Sequence, residues 1–183
     1  MELKVLKKIF KPVLLLLLSA VLLFSSVGCS KDKYVPVGMK AISSDIIDYK
    51  IYIPTEWTAD LSTGVVSAYY SDKDHSSVNV TAFQLDSAET TVKDFWQSYE
   101  DTLKQTIADF EYVTEAETML WDGKSAEKYV YTGKVGGNEY KFMQVLMITY
   151  GTVYIFTYTS TAELYDSHLD DVNKIIENMS FDH

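Results

Sequence analysis

The chain contains no arginine. Every cationic side chain is therefore a lysine, a point charge without the planar fork that grips carboxylate or phosphate bidentately. Cysteine occurs once, at Cys29, so no intramolecular disulfide can form. Histidine occurs three times, at His75, His168 and the terminal His183. A catalytic zinc needs three protein ligands in fixed geometry, and nothing in the spacing of His75 and His168 brings even those two together. No G-x-S-x-G turn is present to carry a hydrolase serine. Positive charge is scarce overall, with 16 lysines against 26 acids and a formal net charge of −10. Such a surface repels phosphate backbones and anionic lipid headgroups, which makes nucleic acid a poor partner.

What is present begins with one apolar run. Val13–Val27 is fifteen residues long, interrupted by Ser19, Ser25 and Ser26. That falls short of the roughly 17–25 residues a membrane span requires. Lys4, Lys7, Lys8 and Lys11 precede it, and small residues follow, which is the layout of a secretory signal. Ser26-Val27-Gly28-Cys29 resembles a bacterial lipobox, which implies cleavage between Gly28 and Cys29 and a lipid on Cys29, palmitate among its acyl chains. Ordinary signal peptidase cleavage after Ser26 and Gly28 is the alternative, and it would leave an exported chain with a lone free thiol. The expected organisation is a signal peptide at 1–28, a tether at 29–40 broken by Pro36 and Gly38, and one globular domain at 41–183. Removing residues 1–28 leaves 12 lysines and 25 acids, a net −13. The expected location is the extracytoplasmic face of a bacterial cell membrane, held there by lipid.

Within the domain, Asp48–Ile53 alternates apolar and polar residues as a strand does, and Pro54 closes it. Val65–Ser71 and Ser77–Gln84 follow as strands around the polar hairpin loop 71–77. The period then lengthens. Val92, Phe95, Trp96, Tyr99, Leu103, Ile107 and Phe110 form one stripe of a helix, with Thr91 and Asp94 at its N-cap. Glu111–Met119, Ala126–Lys134, Tyr140–Tyr150 and Val153–Thr159 read as strands separated by Asp122-Gly123, Gly136-Gly137-Asn138 and Gly151. Phe142–Ile148 and Val153–Phe156 are apolar on both faces, so these strands need cover on both sides. Ser160 with Glu163 predicts the capping box of a last helix, striped by Leu164, Leu169, Val172, Ile175, Ile176 and Met179.

The opening Tyr49-Lys-Ile-Tyr-Ile-Pro-Thr-Glu-Trp57, a strand closing on proline with tryptophan just beyond, resembles the start of PsbP-like domains. The following hairpin, long helix, strand meander and terminal helix resemble the same family over about residues 45–181. The resemblance implies an α+β fold, an antiparallel β-sheet flanked by helices on both faces in an α/β/α sandwich. It also implies a role in binding or assembly, and it carries no shared catalytic set.

The densest chemistry lies at Asp72, Asp74 and His75, whose carboxylates and imidazole are weak metal candidates. A calcium loop starting at Asp72 would need glycine and glutamate where Ser77 and Phe83 stand. Ser76 or Ser77 with His75 and Asp72 could be drawn as a triad, but adjacent residues rarely meet in that geometry. His168, two residues from both Asp166 and Asp170, reads as part of a solvated helix face. Glu115 and Glu117 could pair as glycosidase carboxylates. Tyr69, Tyr70, Tyr129, Tyr131, Tyr154 and Tyr158 either line a groove or pack as cross-strand pairs. The expected function is non-catalytic: a membrane-anchored lipoprotein that binds or helps assemble a protein partner in the cell envelope, without cofactor. The alternative is a small-molecule or metal-binding lipoprotein serving a transporter.

Overall fold

Thr91 starts helix α1, Val92–Thr106, by a reciprocal cap. Its hydroxyl accepts from the Asp94 amide at 3.1 Å, while the Asp94 carboxylate accepts from the Thr91 hydroxyl at 2.7 Å. The structure, a computed structural model, describes residues 34–42, 47–62, 64–87 and 89–181. From Val35 onward these form one unit. Cys29 and the signal segment lie outside the described residues.

Seven strands make the main sheet: β3 (Thr58–Asp60), β4 (Val66–Tyr69), β5 (Ser77–Gln84), β6 (Ala108–Trp121), β7 (Lys124–Val135), β8 (Asn138–Thr149) and β9 (Thr152–Thr161). Their order is β3-β4-β5-β9-β8-β7-β6, antiparallel throughout. The chain leaves β5 through α1, enters the far edge at β6 and meanders back to pair β9 with β5. Asp122-Gly123, Gly136-Gly137 and Tyr150-Gly151 all have positive φ at both residues, between 49° and 86°. Two-residue turns of that kind match the twist of the strands they join. A smaller sheet, β1-β2-β10, is built from β1 (Met39–Ile42), β2 (Tyr49–Pro54) and β10 (Ser180–Phe181). Helix α2, Leu169–Asn178, packs on β2.

The alternation along β8 and β9 separates two cores. Phe142, Leu146, Val153 and Ile155 join Trp96 of α1 on one face. Val145, Met147, Tyr154 and Phe156 join Ile51, Ile53, Val172 and Ile175 of β2 and α2 on the other. The expectation of an antiparallel sheet with helices therefore holds in its coarser form, with a second sheet that the sequence did not disclose.

Three local expectations are corrected. Helix α1 stops at Thr106, so Ile107 and Phe110 leave the stripe. The chain enters β6 at Ala108 instead, and Asp109, with φ 54°, lies in the register irregularity between Ala108 and Glu111, beside which Phe110 stacks on Tyr131. Ser160 caps no helix: β9 continues through Thr161, because its ladder with β8 reaches Tyr140 opposite Thr161. A 3-10 turn, Tyr165–His168, then precedes α2. Finally, β1 takes in Met39 and Lys40, which the sequence reading placed in the tether, because they pair with Pro54 and Ile53 of β2.

Two substitutions check the α1 face. Trp96 is buried, stacks on Tyr129 at 3.7 Å and donates its indole N–H to the Tyr112 hydroxyl at 2.8 Å. Trp96→Ala is expected to cost about 3–5 kcal/mol in urea unfolding, and a change near zero would misplace the helix. A Cβ at Gly133 would lie 2.2 Å from the Ile107 side chain and 3.0 Å from the Ala108 carbonyl. Gly133→Ala is expected to destabilise by about 1–3 kcal/mol through overpacking, and an unchanged melting curve would refute it.

Candidate functional site

The loop between β4 and β5 folds on itself before it reaches across the molecule. Ser71 donates its amide to the Asp74 carbonyl and accepts the Asp74 amide on its hydroxyl, both at 3.1 Å. This local turn faces the Asp74 carboxylate inward. One oxygen accepts from the Ser76 amide at 2.9 Å and the Ser76 hydroxyl at 2.6 Å. The other lies 2.6 Å from His168 Nε2. The Ser76 and Ser160 hydroxyls are 2.7 Å apart, and since Ser76 gives its single proton to Asp74, Ser160 is the donor between them. Tyr70 lies 4.2 Å from the His168 ring, and Trp57 meets it edge-on at 5.8 Å. Burial pushes the Asp74 carboxyl up, but Ser76 and His168 outweigh it and hold the group below the usual range.

This arrangement corrects the reading of His168 as a solvated helix residue. It sits in the 3-10 turn, 7% exposed, and meets a carboxylate 94 residues away. The same turn explains the error: a helical period was applied to residues that are not yet helical. A carboxylate, an imidazole and two serines converge here, but not as a nucleophilic triad. Catalysis needs the hydroxyl bonded to the imidazole, and here both bond to opposite oxygens of the carboxylate. Asp72 and His75 are exposed and do not join Asp74. Among the described residues no three His, Cys, Asp or Glu side chains converge as a metal-ligand set.

The other sequence candidates are also located. Glu117 pairs with Lys128 at 2.8 Å, and irregular register along β6 separates it from Glu115, with both exposed. Tyr129, Tyr131, Tyr154 and Tyr158 are core residues at 0–3% exposure, so they pack and line no groove. Burial raises the Tyr129 hydroxyl pKa, and its hydrogen bond to Glu127 raises it further.

The sequence reading missed one feature. Strand register sets Tyr129, Gln144, Thr157, Asn79, Ser67 and Asp60 opposite one another across six neighbouring strands. All six lie on the face that carries α1. The helix packs chiefly on β6, β7 and β8, and Val153 and Ile155 of β9 are buried in the same cluster, so the row runs from beneath α1 to half-exposed positions at the end of β9 and on β5, β4 and β3. Gln144 is at the boundary, 3% exposed. Its amide nitrogen donates to Thr157 Oγ1 at 3.1 Å and lies 3.4 Å from the Tyr99 hydroxyl. Its carbonyl oxygen is buried and has no partner among the described residues. The only sequence signal was the polar residue at every second position of β5, and cross-strand register is not legible from one strand.

Residues 50–178 match the DcrB family. Among solved structures, cyanobacterial PsbP (CyanoP) from Synechocystis sp. PCC 6803 aligns at a TM-score of 0.59 and 15% identity, over 81% of this chain and 95% of its own. The Ran-binding protein Mog1p of Saccharomyces cerevisiae aligns at 0.56 and 10%, over 79% and 95%. A protein of unknown function from Pseudomonas aeruginosa aligns at 0.50 and 13%, over 76% and 94%. No curated protein sequence matches. At these identities the structural likeness concerns the fold, which is the PsbP-like one that the sequence resembles.

The Asp74 contacts generate a pH prediction. A carboxyl whose folded pKa is depressed contributes stability that is present above its unfolded pKa, about 3.9, and lost as pH falls through the lower folded value. The gap in urea midpoint between the wild-type chain and Asp74→Asn is therefore expected to be widest near neutrality and to narrow below about pH 4. A gap independent of pH would show that the carboxylate charge contributes nothing. Ser76→Ala, which removes a buried donor from Asp74, is expected to cost about 1–3 kcal/mol.

Proposed function

This chain belongs to the DcrB family, and from that premise we propose that it is a lipid-anchored, extracytoplasmic binding or assembly-assisting protein without catalytic activity. The observation that carries the non-catalytic reading is the wiring at Asp74. Where Asp74, His168, Ser76 and Ser160 meet, the imidazole and both serines are buried, and the Ser76 proton is committed to the carboxylate and not to His168. Those groups hold a loop to the 3-10 turn, and they present no activated nucleophile to a substrate.

The anchoring reading rests on Ser26-Val27-Gly28-Cys29 after a short apolar run and four lysines. Among the described residues no helix is long and apolar enough to cross a membrane. In this reading residues 1–28 are removed, Cys29 carries the acyl chains, and a tether leads to the domain at β1. Ten residue steps from Cys29 to Met39 span at most about 33–36 Å when extended, which keeps the domain close to the bilayer. The two core layers favour the full α/β/α arrangement, with α1 and α2 on opposite faces of the main sheet. With residues 1–28 removed, a net charge of −13 disfavours direct docking on anionic headgroups, so the lipid holds the membrane and the folded surface is left for a partner in the envelope. The Ran-binding yeast protein of the same fold is one case of this scaffold meeting a protein.

Metabolic labelling with a palmitate analogue is expected to mark the wild-type chain and not Cys29→Ala, which should accumulate as uncleaved precursor. Equal labelling of both would refute the anchor. Crosslinking in intact cells is expected to recover an envelope protein from the wild-type chain and much less from the unanchored variant.

A further inference from the structure

The turn that leads into β1 is held rigidly and presents an apolar apex. Met39 donates its amide to the Pro36 carbonyl at 3.1 Å, and Gly38, with φ 77°, supplies the positive φ that a type II turn needs at its third residue. The turn is fastened to the residue after β2. The Gly38 carbonyl accepts from the Thr55 amide at 3.0 Å, and the Lys40 ammonium donates to the Thr55 carbonyl at 2.9 Å. Val37, at the second position of the turn, is fully exposed, and Val35 is exposed just before it. Scattered exposed apolar residues are ordinary, so these two acquire meaning only from where they stand.

Two observations give that place. Cys29 is eight residue steps from Val37, a reach of at most about 26–29 Å. The charge of the chain changes sign over the same stretch. Residues 30–42 hold Lys31, Lys33 and Lys40 against Asp32, a net +2, while residues 43–183 hold 9 lysines and 24 acids, a net −15. The turn also marks one end of the domain. Tyr49, at the start of β2, lies 6.4 Å from Tyr154 near the start of β9, and Trp57, just past the end of β2, lies 5.8 Å from His168 beyond the end of β9. Since β1 begins opposite Pro54, Val37 stands at the end where β9 finishes, and the β8–β9 turn at Tyr150 stands at the other.

We propose that this junction is a second membrane contact, in which Val35 and Val37 enter the headgroup layer of an anionic bilayer while Lys31, Lys33 and Lys40 meet its phosphates. The contact orients the domain, with Tyr150 directed away from the bilayer. It rests on the Cys29 anchor proposed above, because the anchor is what makes a weak contact sufficient. A lysine near an anionic surface contributes only about fivefold in partitioning, but a short tether holds the turn at an effective concentration in the millimolar range. The acidic body of the domain is repelled by the same surface. Acids exposed at this end, such as Glu56 and Asp72, work against the contact and confine it to the projecting apex. The short reach also favours lipid over protein as the occupant. A small domain is about 30 Å across, wider than the gap that the fully extended tether opens.

The test exploits the lone cysteine, since acylation of Cys29 leaves the mature chain without a free thiol. Val37→Cys and Tyr150→Cys then each create one labelling site, both at exposed positions where the wild-type melting temperature is expected to persist. The acylated chains, matured in cells from the full sequence, are reconstituted into phosphatidylcholine vesicles containing phosphatidylglycerol and labelled with a nitroxide. Power saturation compares access of oxygen, which concentrates in lipid, with access of a water-soluble nickel chelate. The label at position 37 is expected to favour oxygen, and the label at position 150 to favour nickel. Lys31→Gln and Lys33→Gln are each expected to lower the ratio of docked to undocked chains about fivefold, and omitting phosphatidylglycerol is expected to lower it further. An aqueous label at position 37 on the anchored chain overturns the proposal, as does lipid contact that ignores both phosphatidylglycerol and the lysines. Shielding of position 37 in cells but not in protein-free vesicles overturns it in favour of an envelope protein. If Cys29 is not acylated, the wild-type chain itself takes up the thiol label, so failure of the anchor and failure of the contact are read separately.

Discussion

The fold depends on two strands that are apolar on both faces. Along β8, Met143, Val145 and Met147 enter one core and Phe142 and Leu146 the other, and β9 divides in the same way. Such strands cannot sit at an edge or beneath a single layer without leaving apolar surface in water. They therefore lie well inside the sheet, next to each other. One face is closed by α1 through Trp96, and the other by β2, α2 and the short β10. The rim strands follow from the same logic: β3 and β6 have little to bury, and β6 carries the acids and register irregularities that discourage edge pairing.

A core this rich in tyrosine must also find partners for its hydroxyls. Tyr154 donates to Asp48 at 2.5 Å, Tyr158 to the Tyr165 carbonyl at 2.8 Å, and Tyr112 accepts from Trp96. The Asp74–His168 contact belongs to this class of solution. It fastens the β4–β5 loop to the segment before α2, and Trp57 adds a further tie by donating its indole N–H to Asp171 of α2 at 3.4 Å. Among the described residues two buried groups stand apart, the Gln144 carbonyl, whose amide nitrogen is satisfied, and the Trp121 indole N–H.

The groups able to do chemistry are thus mostly occupied in holding the domain together, while its open sheet face is neutral and polar. That division gives the domain two faces with separate demands. One is closed by β2 and α2, and the other is only partly covered by α1.

Local patterns determined much of this protein from sequence alone. Thr91 and Asp94 marked the start of α1, because a cap is made by residues three apart. The glycines at 123, 137 and 151 marked the hairpins, because positive φ is a local steric requirement. The Tyr49–Trp57 segment pointed to the PsbP-like fold. The errors fall where a distant partner overrides the local pattern. Ser160 resembled a cap, but β8 holds that residue in a strand; His168 resembled a surface residue, but Asp74 lies 94 residues away. The polar row was illegible for the same reason. Each strand shows its own alternation, but only hydrogen-bonded register decides that Thr157, Asn79 and Ser67 stand side by side, and that register is set by burying the opposite face.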